Sequence, residues 1–222
     1  MGIVENLEHL REELPGEVTI VVVSKTRSDQ EILEAYHSGH RDFGENKVQE
    51  LVAKQERLPG DIRWHMVGHL QSNKVRFLAP FIHMVHSVDS MKLLGVINRE
   101  AEKKGRIIDC LLQLHIAREE TKFGLSGEEL FELVSSPGFS SMQHVRVRGL
   151  MAMATYTENM DRVREEFRHL KLIFERIKRE VFPGAPWFDQ LSAGMSGDYR
   201  VAVEEGSTVV RIGSIIFGPR KI

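Results

Sequence analysis

Residues 18–26 read VTIVVVSKT, a run of β-branched residues that ends in a lysine. An apolar run of this length predicts a strand that is buried on both faces, as in a parallel sheet. Ser28 and Glu31 follow, directly before an apolar pair, and have the spacing of a helix capping box. A buried strand followed by a capped helix is one βα unit.

This unit repeats along the chain. Ser126 and Glu129 form a second capping box, Gly39, Gly105 and Gly206 stand where helices should end, and the longest helix is expected over 161–181. Eight runs are interpreted as strands, at 18–24, 42–44, 63–68, 84–88, 109–116, 147–153, 190–194 and 208–213. The pattern predicts an α/β fold, a single (β/α)8 TIM-like barrel, with an open doubly wound sheet as the alternative.

Residues 4–14 predict an extra N-terminal helix that covers one barrel end or packs alongside the last helix. No linker, repeat or low-complexity tract interrupts the sequence. We therefore expect one domain over residues 1–222.

Composition narrows the class of protein. With 30 basic and 32 acidic residues, the net charge of -2 gives no reason to expect nucleic acid or membrane as a partner. The single cysteine, Cys110, lies in an apolar run and is expected to be a buried, inert thiol, as suits a reducing cytosol. The sequence shows neither a signal-peptide pattern nor an apolar stretch of membrane-spanning length, so we expect a cytoplasmic protein.

In such barrels the functional residues lie at the C-terminal ends of the strands. Lys25 directly follows the first predicted strand. A lysine that emerges from an apolar strand is partly desolvated, which frees its amine for attack on a carbonyl. The alternative is an ordinary solvated lysine.

An anion site is predicted after strand seven, where residues 191–198 read LSAGMSGD. Two hydroxyls, Ser192 and Ser196, with glycines before a helix N-terminus can cradle a phosphate. The alternative is that Ser196 merely caps the helix. Strand eight favours the phosphate, because Gly213 allows the close backbone approach that the site after strands seven and eight requires.

Arg211 lies among apolar residues in strand eight, so its charge needs a partner. A ring nitrogen or an anion at the barrel mouth would serve. The alternative is a buried salt bridge with Asp42 or Glu45.

Polar residues near strands two and three are given structural interpretations. Asn46 has the position of a helix N-cap. His65 and His69 are not interpreted as metal ligands, because no carboxylate or cysteine nearby in sequence completes a ligand set; one is expected to be packed and one to line the mouth. Lys122, after the fifth predicted strand, is a weaker candidate for a residue that lines the barrel mouth.

The combined motifs resemble the YggS/PROSC family of pyridoxal 5′-phosphate (PLP) homeostasis proteins. The resemblance covers nearly the whole chain in order, and its motifs are VSKT at 23–26, FGEN at 43–46, WHMVGHLQSNK at 64–74, GLM at 149–151, LSAGMS at 191–196 and VRIG at 210–213. The sequence departs from the family pattern at Ala193 and Gly197 and in a somewhat shorter N-terminal segment.

The resemblance implies a fold-type III PLP barrel like the N-terminal domain of alanine racemase. It implies that Lys25 holds PLP as a covalent aldimine and that Asn46 lines the ring pocket. The phosphate would be held by Ser192, Ser196 and the backbone near Met195 and Gly213. Arg211 would face the pyridine nitrogen, keep it unprotonated and so restrain carbanion chemistry.

Two functional classes follow. The resemblance favours a monomeric, non-catalytic PLP carrier and homeostasis factor that serves apo PLP-dependent enzymes, because the chain shows no catalytic β-domain and no obvious second acid or base. The alternative is a weak amino-acid racemase that uses Lys25 and a mouth residue such as His65. A Schiff-base aldolase for a phosphorylated sugar would explain the lysine and the phosphate cradle but not Arg211.

Overall fold

The structure, a computed structural model, describes residues 2–117 and 123–219; the weaker mouth candidate Lys122 lies outside these residues. All eight predicted strands are present in it, parallel and each paired with the next. Strand β1 also pairs with β8, with Thr19 opposite Val209, so the sheet closes into a barrel and the open-sheet alternative is wrong. The strands are β1 Thr19–Val23, β2 Asp42–Glu45, β3 Arg63–Met66, β4 Met84–Val88, β5 Ile108–Leu114, β6 Val145–Ala152, β7 Gln190–Ser192 and β8 Val209–Ile212.

Helices fill the connections, as predicted. They are α1 Ile3–Glu13, α2 Asp29–His37, α3 Val48–Arg57, α4 Val75–Leu78, α5 Met91–Glu102, α6 Gly127–Ser135, α7 Pro137–Ser140, α8 Met160–Glu180, α9 Tyr199–Glu204 and α10 Ser214–Phe217, with a 3₁₀ turn at Ser72–Lys74. No described helix has both the length and the apolar character needed to cross a bilayer.

The predicted helix ends are confirmed. Ser28 and Ser126 each accept a hydrogen bond from the backbone N–H three residues on. In return, the Glu31 and Glu129 carboxylates accept from the backbone N–H groups of these two serines. Gly39, Gly105 and Gly206 have positive φ, the left-handed conformation that ends a helix without a Cβ clash.

The N-terminal helix α1 packs alongside the last helix, which is one of its two predicted positions. Leu7 and Leu10 bury its apolar face, and the Asn6 side chain donates to the Ile216 carbonyl over 3.1 Å. Glu13, at its end, accepts from Tyr199 and Arg200 of α9.

The main apolar core lies between the strands and the surrounding helices, where the predicted buried thiol Cys110 is also found. Burial raises the pKa of this thiol well above its ordinary value, so it is inert. The barrel interior, by contrast, contains several buried polar side chains, including His65, His86 and Arg211. Such an interior is unusual, because bulky aliphatic residues dominate most TIM barrels.

Candidate functional site

A cavity of about 660 Å³ lies at the carboxyl ends of the strands, the barrel end where function was expected. Six of the seven predicted site residues line it: Lys25, Asn46, Met195, Ser196, Arg211 and Gly213. Ser192 does not. Sequence reasoning missed Arg27 and Ser214, which also line the cavity and directly follow two recognised motifs.

Lys25 lies two residues after the end of β1, between two residues whose backbone is held by other side chains. Ser24 is fully buried, and Thr26 has φ +63°, which is unusual for a threonine. The Thr26 N–H donates to Glu50 Oε1 over 2.6 Å. A left-handed non-glycine residue persists only where its surroundings hold it, and such residues cluster at functional sites.

The side chains that hold this backbone form what we call the Lys54 cluster, consisting of Glu45, Glu50 and Lys54. Lys54 is 3% exposed, and its Nζ donates to Glu45 Oε1 and Glu50 Oε1, each over 2.7 Å. It also donates to the Ser24 carbonyl over 2.8 Å. The cluster therefore contacts the backbone on both sides of Lys25.

Within the Lys54 cluster, Glu45 is completely buried. Burial raises the pKa of its carboxyl although Lys54 and Ser24 donate to it, and its Oε2 has no hydrogen-bond partner among the described residues. The sequence offered one signal of this arrangement, the four-residue spacing of Glu50 and Lys54 on a predicted helix.

Arg211 is held by oxygen acceptors within the barrel wall. Its Nη1 donates to the Ser192 carbonyl over 2.9 Å and to Ser192 Oγ over 2.6 Å, and its Nη2 donates to the Ala152 carbonyl over 2.9 Å. A guanidinium has five N–H groups, so these contacts leave one on Nε and one on Nη2 for the cavity. Burial lowers the pKa of Arg211 to about 10, so it remains a cation and a donor at neutral pH.

The alternative of a salt bridge from Arg211 to Asp42 or Glu45 is wrong. Asp42 pairs with Arg63 on the adjacent strand, while Glu45 pairs with Lys54 on the outer side of the barrel. Both carboxylates are thus already paired with cations nearer to them in the fold.

The placement of Ser192 corrects the prediction that its hydroxyl holds a phosphate. Ser192 is 0% exposed, and its Oγ accepts from Arg211 and lies 3.0 Å from His86 Nδ1. Its side chain points into the barrel interior behind Arg211. Its role is to hold that arginine.

The other residues predicted to cradle a phosphate, Met195, Ser196 and Gly213, line the cavity. Asp198 rather than Ser196 is the N-cap residue of α9, and its Oδ1 accepts from the Met195 N–H over 2.6 Å. Ser196 is therefore not used as the cap and faces the cavity. Opposite it, α10 begins directly after Gly213, where a Cβ would lie 3.1 Å from the Val23 carbonyl oxygen.

Asn46 is not a helix cap either. Helix α3 begins at Val48 with Lys47 at its N-cap position, so the Asn46 side chain is left to line the cavity. Its backbone is closely packed, because a Cβ on Gly68 would lie 2.5 Å from the Asn46 carbonyl oxygen.

The histidines of β3 and its following loop lie away from the cavity. His65 is buried in the barrel, with Nε2 3.1 Å from Asp42 Oδ1, so it does not line the mouth as the racemase alternative requires. His69 is half-exposed and paired with Asp89 at 3.3 Å.

The structure corrects the expectation that no carboxylate near His65 could complete a metal-ligand set. Asp42, from β2, lies beside His65, and with His83 these residues present ligand atoms within 4.8 Å of one another. However, Arg63 already occupies both carboxylate oxygens of Asp42. A guanidinium at that carboxylate disfavours a cation there.

Two buried histidines should make the fold sensitive to mild acid. Burial lowers the pKa of His40 to about 4 and that of fully buried His86 well below 6.5. Between pH 6.5 and 4, His40 gains a proton on unfolding, and His86 does so as well, so their stabilisation is complete above pH 6.5 and declines toward pH 4. From pH 6.5 to 5, His40 alone should lower the free energy of unfolding by about 1.5 kcal/mol, and His86 should lower it further.

Urea unfolding at both pH values measures this loss. His40→Asn should reduce it by about 1.5 kcal/mol. A free energy of unfolding that does not change between pH 6.5 and 5 would contradict this account of the two histidines.

Comparison with known proteins supports the barrel fold. The family described as "Alanine racemase, N-terminal domain" matches residues 2–221. The alanine racemase of Bartonella henselae, solved with covalently bound pyridoxal phosphate, shares the fold with a TM-score of 0.71 at 15% identity, over 99% of this chain and 60% of that one. The fold and the family match thus define a barrel of the alanine racemase N-terminal class.

More similar relatives define the group within that class. The protein of Aquifex aeolicus named "Pyridoxal phosphate homeostasis protein" is 40% identical to this chain, over 89% of this chain and 85% of that protein. The protein of the same name from Escherichia coli K12 is 37% identical, over 93% of this chain and 87% of that protein. The structure of PipY from Synechococcus elongatus PCC7942, with PLP bound, has a TM-score of 0.87 at 36% identity, over 97% of this chain and 100% of that one. The chain belongs to the family of pyridoxal phosphate homeostasis proteins, as its motifs predicted.

Proposed function

We propose that this protein binds PLP in the barrel-mouth cavity as a Schiff base on Lys25 and serves intracellular PLP homeostasis or carriage rather than efficient catalysis. One observation carries the proposal: an amine, an anion cradle and a buried cation line the same cavity, as Lys25, Ser196 with Gly213, and Arg211. The relatives' names and the PLP bound to PipY support this choice of ligand.

The residues of the cavity fit the parts of PLP. The phosphate suits Ser196, the backbone at Met195 and Gly213, and the first N–H groups of α10, which have no partner within that helix. The two remaining N–H groups of Arg211 suit an acceptor such as a ring nitrogen. Asn46 would line the ring pocket.

Bound PLP would supply an electron sink for amine chemistry. Arg211 limits that chemistry, since a group that keeps its protons at neutral pH donates a hydrogen bond to the ring nitrogen but does not protonate it. Lys25 would act mainly as a covalent tether. The strained Thr26 and the Lys54 cluster would hold its backbone in place.

Geometry also favours carriage over racemisation. The second base suggested for a racemase, His65, is buried away from the cavity. Tyr156 does line the cavity, but it is 98% exposed, so it is not the desolvated acid or base that efficient catalysis uses. We also propose that the protein is monomeric and cytoplasmic and forms one domain over residues 1–222. Its recipients would be apo PLP-dependent enzymes.

Titration of the purified protein with PLP tests this function. A saturable, stoichiometric rise in the yellow imine absorbance is expected, and a protein that stays colourless would end the proposal. Stopped-flow assays of the loaded protein with L- and D-amino acids test the carrier role. Turnover at about 1 s⁻¹ or faster, within the ordinary enzyme range, would make it an enzyme instead.

A further inference from the structure

Hydrogen bonds link the cavity to the opposite end of the barrel through its interior. We propose that Asp42, at that far end, is a positioning residue for the cavity, and that it acts through a one-way hydrogen-bond chain that ends at Arg211. The effect on PLP rests on the proposed function; the direction of the chain does not.

The chain has four links, each between side chains in the barrel interior. Arg211 Nη1 lies 2.6 Å from Ser192 Oγ, and Ser192 Oγ lies 3.0 Å from His86 Nδ1. His86 Nε2 lies 2.9 Å from His65 Nδ1, and His65 Nε2 lies 3.1 Å from Asp42 Oδ1. All five residues are buried, so the chain runs through protein rather than through solvent.

The two ends of the chain fix its direction. Arg211 can only donate, because a guanidinium has no acceptor. Asp42 can only accept: burial raises the pKa of its carboxyl, but hydrogen bonds from His65 and Arg63 outweigh burial and lower that pKa below its ordinary value. With a donor fixed at one end and an acceptor at the other, one arrangement of two neutral imidazoles satisfies every link.

In that arrangement the Ser192 hydroxyl donates to His86 Nδ1, and His86 Nε2–H donates to His65 Nδ1. His65 Nε2–H then donates to the Asp42 carboxylate. If His86 were reversed, Ser192 Oγ would receive N–H groups from both His86 and Arg211. Its own proton would then lack an acceptor in the contacts of the described residues, and an unsatisfied buried hydroxyl is unfavourable.

The chain also orients the groups around Arg211 in the interior. Burial lowers the pKa of Arg211, while the charge of Asp198, at the N-cap of α9, favours its cation. Aligned hydrogen bonds reinforce one another in a low dielectric, so the negative charge of Asp42 favours the orientation in which Ser192 accepts from Arg211. That orientation leaves the Nε and second Nη2 N–H groups for the cavity.

The first test uses the protein without cofactor. Nitrogen-15 NMR of the histidine-labelled protein at neutral pH should show His65 and His86 each with the proton on Nε2 and with Nδ1 bare. A proton on Nδ1 of either ring would overturn the proposed direction. This result does not depend on whether the protein binds PLP.

The second test compares two carboxylates at the same end of the barrel. Asp42→Asn should weaken PLP binding, measured by absorbance titration, by about two- to thirtyfold, although Asp42 does not line the cavity. The control is Asp109→Asn, since Asp109 is equally buried and paired with Arg146 and Arg148 but is not in the chain. It should leave the PLP dissociation constant within about twofold.

Equal effects of the two variants, or no effect of Asp42→Asn, would overturn the positioning role. Ser192→Ala removes a middle link of the chain with little change in side-chain volume. It replaces Asp42→Asn as the test variant if Asp42→Asn does not fold. It should also weaken PLP binding, and an unchanged dissociation constant would contradict the chain. If the unmodified protein takes up no PLP, the proposed function fails, while the NMR measurement still decides the direction.

Discussion

Lys25→Ala is expected to abolish the imine absorbance of the PLP-loaded protein while leaving some PLP bound. The covalent bond requires the Nζ amine, whereas the cradle at Ser196 and Gly213 and the donor Arg211 remain in the variant. Absorbance spectroscopy measures the imine, and equilibrium dialysis measures the PLP that stays bound without it.

Lys47→Ala is the matched control for this variant. Lys47 is exposed, directly follows Asn46 and does not line the cavity. Its replacement should leave both the absorbance and the bound PLP unchanged. If Lys25→Ala kept the full imine absorbance and Lys47→Ala lost it, the assignment of Lys25 would be wrong.

Lys54→Met is expected to lower the free energy of unfolding by about 3–5 kcal/mol. The substitution keeps the length of the side chain but leaves the fully buried Glu45 carboxylate without its cation. It also removes the donor to the Ser24 carbonyl, next to Lys25. Urea unfolding followed by circular dichroism measures the loss.

The double variant Glu45→Gln with Lys54→Met separates lost charge balance from lost packing. It removes both buried charges, so it should recover much of the stability that the single variant loses. A double variant no more stable than Lys54→Met alone would show that packing of the Lys54 stem, rather than the buried carboxylate, governs the loss.

The repeating unit of the fold could be predicted from the sequence because its signals are local. Runs such as 18–24 are β-branched, and capping boxes such as Ser28 with Glu31 need only three-residue spacing. Lys25 and Gly213 were also predictable, since the end of a parallel strand always faces the same end of the barrel.

Contacts across the barrel could not be predicted in this way. Whether Ser192 faces a phosphate or Arg211 depends on how β7 and β8 pair and on which side chains face inward. The contact between Asp42 and His65 depends on the pairing of β2 with β3. In that pairing Gly44 lies opposite His65, and Asp42 lies two residues before Gly44 on the same face of the strand. Residues more than twenty positions apart carry no local signal of such a contact.

The central claim is that Lys25 carries the cofactor, and mapping the covalent adduct tests it most directly. The protein is loaded with PLP, reduced with borohydride, digested and analysed by mass spectrometry. One dominant, stoichiometric pyridoxyl adduct is expected, on the peptide that contains Lys25. A dominant adduct on any other lysine, or no stoichiometric adduct at all, would contradict the claim.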